Sequence, residues 1–468
     1  METNPPAAYG AWLASAPPVW PDAAVRAAHN AFIDIVATMV GGAAEEAPAR
    51  VFATVGQWGA GPSTAIGMGA RLPPPWAALV NGTTAHVLDF DDNFDPAKAH
   101  ATAVLAPAIF ALAEAEGAGG AACIDAFIAG LQIMGRVGEG LNPRHRAAGW
   151  HGTSTVGAIG AAAACARLLG LDAERAAHAL SIATSMAGGF ITQFGTMTKP
   201  MHAGLAAKAG VLAASLARGG IDAGAATLDG KAGMMMLMAG PDPDRASGSA
   251  FVTEAIGDPL FILSHGLRAK RFPNCASAHR AMDALIALRA QHGFTAADIA
   301  RIAVHAPAMH LANLMYTAPE TPMQAKFSLE FALAALLVDG GVGLAHFDAA
   351  TIARADIRAL YPRIVRMPFD DIHGRQPTVV EIALNDGRTL SAEVLMAAGS
   401  IARPFATAQY WEKFDRCATG MADPARIARI RAALENLPGL PSLAPLMEPL
   451  RPAFGGQDRA SSMVSASA

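Results

Sequence analysis

The chain has 468 residues, 52% of them hydrophobic and only 16% charged, with a formal net charge of −4. That is apolar material for a large core and more than one domain, and it excludes a disordered protein. The acidic balance speaks against nucleic acid or an anionic membrane as a partner, so an anionic substrate requires a local cationic pocket. No basic n-region followed by an apolar stretch opens the chain, and no uncharged, strongly apolar run is long enough to span a bilayer, so a soluble cytosolic protein is expected. Cys123, Cys165, Cys275 and Cys417 are widely scattered without a CxxC pair. Neither a disulfide framework nor a zinc knuckle is expected from them.

In chain order, the first ten residues read as a frayed arm. Pro21-Asp22 opens a helix with Val25, Phe32, Val36 and Met39 at helical spacing, closed by Gly41-Gly42. Gly59–Arg71 is a turn-rich connector, and three prolines at 73–75 deliver the chain to an apolar helix over Trp76–Leu88. Another helix is expected over Val104–Leu112, with Thr102 as its N-cap. From Ala106 to Ala217 helix follows helix, many faces carrying only Ala and Gly, which predicts closely packed helices. Near Leu267 the composition shifts, and Arg268–His279 forms a polar hinge before a helix through Leu285 and Leu288. The period then changes. Ile299–Ala306 and Val379–Leu384 alternate like strands, and Asn385-Asp386-Gly387 before Leu390–Val394 signals a hairpin. Helices are expected at Ala325–Leu337 and near Ala350–Leu360 between the strands, then at Trp411–Cys417 and Pro424–Leu437 after them. The predicted architecture is a large all-α domain in two parts (1–266 and 399–454) carrying an inserted smaller α/β domain (267–398), with a disordered tail over 455–468.

One stretch concentrates chemistry. His86–His100 reads His-Val-Leu-Asp-Phe-Asp-Asp-Asn-Phe-Asp-Pro-Ala-Lys-Ala-His, packing four aspartates and two histidines between two apolar helices. It can be a solvated acidic turn, a calcium loop or an active-site loop. A calcium loop needs a turn glycine where Phe94 stands and a terminal glutamate where His100 stands, so no metal is expected. Carboxylates and imidazoles held at a helix end suit proton transfer. Further along, Arg144, His145 and Arg146 form a basic cluster that reads as a solvated loop or as a substrate clamp. Gly149–Gly157 holds His151 ahead of Thr153, Ser154 and Thr155, natural caps for an Ala-rich helix whose free N–H groups suit a carboxylate. Lys199 precedes Pro200, with His202 two residues on; a lysine there is more often solvated than catalytic.

These segments, taken together, resemble the MmgE/PrpD family. The resemblance rests on an ordered set: His-x-x-Asp-Phe-Asp-Asp ending in His100, Gly-Trp-His151-Gly-Thr, Thr-Lys199-Pro-Met-His202, Lys270-Arg-Phe-Pro, Ala-Lys326-Phe-Ser and Lys413-Phe. The family includes 2-methylcitrate dehydratase, cis-aconitate decarboxylase and iminodisuccinate epimerase. It implies a helical domain with an inserted α/β domain, an active site between them, a homodimer, and catalysis without metal or organic cofactor. By matching positions it implies a pocket of Asp89, Asn93, His100, His151, Lys199 and Lys270; Asp89, His100, His151, Lys199 and Lys270 are expected to be catalytic, and Asn93, His202, Arg271 and Cys275 to bind substrate. Asn93 and Cys275 depart from the threonine and histidine of decarboxylase-like members. The expected function is a lyase, dehydratase-like, acting on a small di- or tricarboxylate by proton abstraction next to a carboxylate. Epimerisation of a dicarboxylic amino-acid derivative is the close alternative, ahead of cis-aconitate-type decarboxylation and of a non-catalytic metabolite-binding protein.

Overall fold

The computed structural model describes residues 4–241, 250–371 and 375–455. Residues 456–468, nearly all of the expected tail, lie outside them. The first part is helical: α1 (Pro5–Ser15), α2 (Asp22–Gly42), α3 (Glu46–Val55), α4 (Pro74–His86), α5 (Ala101–Glu116), α6 (Gly120–Leu141), α7 (Arg144–Ala147), α8 (Thr155–Leu168), α9 (Ala173–Thr184) and α10 (Thr198–Arg218). The frayed arm is a correction. Asn4 caps α1 by accepting from the Ala7 N–H at 3.1 Å, and Tyr9 is fully buried. The connector at Gly59–Arg71 also holds a small antiparallel ribbon, β1 (Ser63–Ala65) with β2 (Ala70–Leu72).

Small residues decide how these helices meet. α4 and α10 cross where Gly82 faces Gly204; a Cβ on Gly82 would stand 2.6 Å from the Gly204 Cα, and one on Gly204 2.1 Å from the Leu79 carbonyl. Only backbone fits there. α10 rests on α8 in the same way, with a Cβ on Gly210 2.3 Å from the Ala161 Cβ. The close α4–α10 crossing brings the start of α10, where Lys199 sits, against the end of α4, where Asp89 follows. α2 and α6, which carry charged residues, are by length and composition long and apolar enough to cross a membrane, but 67% and 83% of their apolar windows are buried inside the protein. Here they serve as core helices.

The chain continues through α11 (Met234–Ala239) and α12 (Phe261–Ser264) to α13 (His279–His292), then enters a mixed sheet of four strands. β3 (Ile299–Pro307) lies inside, parallel to the edge strand β4 (Ile364–Phe369) and antiparallel to β5 (Thr378–Leu384), which pairs with β6 (Thr389–Val394). β4 was missing from the sequence reading. Pro368 and an exposed Met367 hide its alternation, and an edge strand tolerates both. Short helices α14 (Ala308–Asn313), α15 (Pro322–Ala325), α17 (Ala349–Ile352) and α18 (Ala355–Arg358) connect the strands around α16 (Leu329–Asp339). Ser328 starts α16 by accepting from the Phe331 N–H at 3.1 Å, and Gly340 ends it at φ 77°. Last come α19 (Thr407–Ala418), α20 (Pro424–Glu435) and α21 (Ala444–Leu450).

Two apolar clusters result. One joins α1–α6 and α8–α12 with residues such as Phe414, Ile430 and Leu446 from the end of the chain. The other joins the sheet with α13 and α16, and takes Phe194 from the first part. All four cysteines are free and buried.

Candidate active site

The loop after α4 is held from three remote places. At the C-terminus of α4 the last carbonyls have no helical partners. Lys326 donates to the Val87 carbonyl at 2.8 Å, Lys270 to the Asp89 carbonyl at 2.7 Å, and Lys413 to the Phe90 carbonyl. Three ammonium groups thus hold carbonyls of the chain just beyond α4, and only the one on Val87 sits at the helix's C-cap. Lys413 is itself paired with buried Asp34 at 2.7 Å. The sequence reading had used Lys326 and Lys413 only as landmarks; a carbonyl acceptor leaves no trace in side-chain identities. A two-residue bridge between Asn93 and Arg268 (2.9 and 2.8 Å) stitches the loop to the polar hinge.

Asp89 turns the chain at φ 52°, a left-handed conformation that aspartate tolerates better than most residues. Its carboxylate is 2% exposed. Lys199 hydrogen-bonds Oδ1, while Lys270 stands 3.2 Å from Oδ2 and spends its own hydrogen bond on the carbonyl. Burial alone would raise the Asp89 carboxyl, but the two ammonium groups outweigh it and hold it well below the usual range. Burial pulls the Lys199 ammonium down, opposed by Asp89.

Asp91 stands between two histidines. His86 Nδ1 reaches its carboxylate at 2.8 Å and His100 Nδ1 lies 3.1 Å away. An ionised carboxylate only accepts, so it fixes the His86 proton on Nδ1 and turns His100 Nε2 toward Asn93 (3.5 Å) and Asp89 (4.0 Å). Burial pushes the His100 imidazole down to about 3 in spite of Asp91. His151 Nδ1 meets His202 Nδ1 at 2.9 Å, so the pair shares one proton between them. Burial also lowers both, His202 to about 4.

The expected caps behave differently from the sequence reading. Thr102 lies inside the first turn of α5 and bonds Asp92, while His100 occupies the N-cap position without a side-chain cap. Thr153 accepts from the His100 N–H at 3.1 Å, Ser154 bonds the Gly188 carbonyl, and Thr155 bonds His145 at 2.9 Å. None of them caps α8. Their hydroxyls brace the loop and the histidines instead.

A cavity of about 220 Å³ opens beside these groups. Asp89, Asn93, His100, His151, Lys199 and Cys275 line it, six of the nine residues singled out from sequence. Lys270 supports Asp89 from behind, and His202 supports His151. Arg271 is placed elsewhere: it points to Asp283 on α13 at 3.2 Å and does not line the cavity. Lys98, Arg146, Arg268, Arg280 and His310 line the wall as well. With Lys199 that makes five lysines and arginines against the carboxylates of Asp89, Asp95 and Asp371. Sequence reasoning passed over Arg280 and His310, because helix and loop positions alone do not say which way a side chain faces.

His86, Asp89, Asp91 and His100 offer ligand atoms within 4.8 Å of one another. A divalent cation there would sit against the Lys199 and Lys270 ammonium groups, so the donor set fits a metal poorly.

Residues 13–246 match the profile of the MmgE/PrpD N-terminal domain, and residues 272–438 that of the MmgE/PrpD C-terminal domain. The chain belongs to the MmgE/PrpD family. Its relatives include cis-aconitate decarboxylase of Homo sapiens, 31% identical over 79% of this chain and 78% of that protein. The cis-aconitate decarboxylase of Mus musculus is 29% identical over 85% and 82%. That of Aspergillus terreus is 26% identical over 82% of each. These MmgE/PrpD relatives are lyases, and the chain is an enzyme of their family.

Proposed function

We propose that the protein is a cofactor-independent lyase acting on a small tricarboxylate, and that it removes carbon dioxide from it. The observation that carries this reading is the Asp89 carboxylate pinned between Lys199 and Lys270 in the wall of a cavity richer in cations than in anions. A carboxylate so placed is a weak base, and burial leaves His100 a weak base too. Taking a proton from carbon beside a carboxylate needs a strong one. Decarboxylation needs none. The C–C bond to the carboxylate breaks, carbon dioxide leaves, and the electron pair stays on carbon. The Lys199 ammonium in the cavity wall stabilises that developing charge. One proton must then return to carbon; the charges of a bound polyanion raise the His100 imidazole, and Nε2 facing the cavity delivers it. The relatives named above support the same class of reaction.

Dehydration, the first expectation from sequence, stands as the second reading. Asp91 behind His100 favours it, because that pairing strengthens an imidazole base. Proton NMR of the protein with a panel of tricarboxylates, cis-aconitate among them, separates the outcomes. Decarboxylation releases one carbon dioxide per substrate consumed. A new vinyl signal without carbon dioxide supports dehydration, and deuterium uptake with loss of optical activity and no new product supports the epimerase. Binding without any change of the ligand would leave a metabolite-binding protein.

A further inference from the structure

Arg146, which the sequence left between a solvated loop and a clamp, has no task in the reaction above. It is 7% exposed and lies in the cavity wall. One guanidinium nitrogen, Nη2, donates to the Asn313 side-chain oxygen, whereas Nη1 is buried with no partner. Among the described residues no carboxylate pairs with it. Burial lowers its pKa only to about 10, so it stays charged at neutral pH. A buried guanidinium without an anion is costly, and fixed side chains must hold it in place. They do so here. Asn313 donates from its amide to the Ser277 hydroxyl at 3.0 Å, which sets the amide so that its oxygen faces Arg146. Phe194 lies under the guanidinium at 5.5 Å, and the same ring has the Lys199 ammonium at 5.8 Å. The aromatic ring therefore contacts two cations, and the three side chains line one cavity.

We propose that Arg146 binds a second carboxylate of the substrate, away from the one beside Asp89, and that this subsite makes the cavity select polycarboxylates over monocarboxylates. The proposal rests on the lyase reading for what enters the cavity, but its test involves no turnover. Guanidinium pairs with a carboxylate through a planar fork, so an unpaired Nη next to a fixed Nη2 suits an incoming carboxylate better than a point anion.

Isothermal titration of the full chain with propane-1,2,3-tricarboxylate and with butyrate tests it, since neither has a leaving group or a double bond. Arg146→Met is expected to weaken tricarboxylate binding about 10- to 100-fold, as loss of hydrogen bonds to a charged group does, and butyrate binding less. Asn313→Asp guards against a folding defect. It keeps the shape and gives Arg146 an internal counter-ion, so it is expected to raise the melting temperature while weakening tricarboxylate binding. A purely structural Arg146 would leave binding intact in Asn313→Asp. Equal losses for both ligands in Arg146→Met, or wild-type tricarboxylate affinity in Asn313→Asp, overturn the proposal. If no substrate reacts yet both variants behave as expected, the lyase reading falls and the subsite stands; turnover with unaltered binding in the variants has the opposite meaning.

Discussion

The charge balance around Asp89 makes a prediction that separates structural from catalytic loss. Lys199 and Lys270 bring two positive charges to one carboxylate, so the buried cluster carries a surplus of one. Lys270→Met removes that surplus and leaves Asp89 paired with Lys199. What the fold loses is the 2.7 Å bond to the Asp89 carbonyl and the 3.2 Å contact with its carboxylate. Hydrogen bonds to charged groups contribute about 1.5–3 kcal/mol, and the stability loss is expected in that range. Asp89→Asn is different, because it leaves two ammonium groups buried beside each other without a counter-ion. Its cost is expected at about 3–5 kcal/mol, as for other buried pairs that lose one partner. Activity should run the other way for Lys270. Lys270 stands behind Asp89 rather than in the cavity wall and acts on the reaction through that carboxylate, so Lys270→Met is expected to lower kcat/KM by about 10²-fold or more, on the scale of losing an oxyanion donor. Urea denaturation gives the first pair of numbers, and steady-state kinetics on the substrate identified by NMR the second. Lys270→Met with wild-type kcat/KM, or destabilisation as severe as that of Asp89→Asn, refutes the charge argument.

Two further perturbations follow from burial. Asp92 is fully enclosed and bonded to Thr102, and burial raises its carboxyl to about 7. The folded protein therefore keeps a proton that the unfolded chain gives up near pH 4, and this group's contribution to stability falls as pH rises from about 4 to about 7. Asp92→Asn, which mimics the protonated form, is expected to gain melting temperature over wild type at pH 8 and little at pH 4; an equal gain at both refutes the assignment. Cys275 lies in the cavity wall with its thiol raised by burial, so it is expected to act as a packing group rather than a proton carrier. Cys275→Ser is expected to keep activity within about threefold, and a folded but inactive variant would place the thiol in the mechanism.

How the parts divide between sequence and tertiary structure follows from the range of the interactions. Elements written in local periodicity were legible: α2 between Pro21 and Gly42, the hairpin of β5 and β6 around Asn385-Asp386-Gly387, and the helices α19 and α20. The family, too, was legible in the order of its motifs, and six of the nine residues named from it line one cavity. α1 was not, because its anchors are a single asparagine cap and the burial of Tyr9. β4 was hidden because an edge strand need not alternate. The site shows the same limit more sharply. Sequence marked Asp89, His100 and Lys199 as chemically able without saying which group is the base, and the fold puts two lysines, from residues 199 and 270, against the Asp89 carboxylate. Likewise the sequence left Arg146 undecided between solvent and cavity. A side chain's protonation and task depend on which charges come within a few ångströms and how far water is excluded, and both are set by packing between residues a hundred or more positions apart.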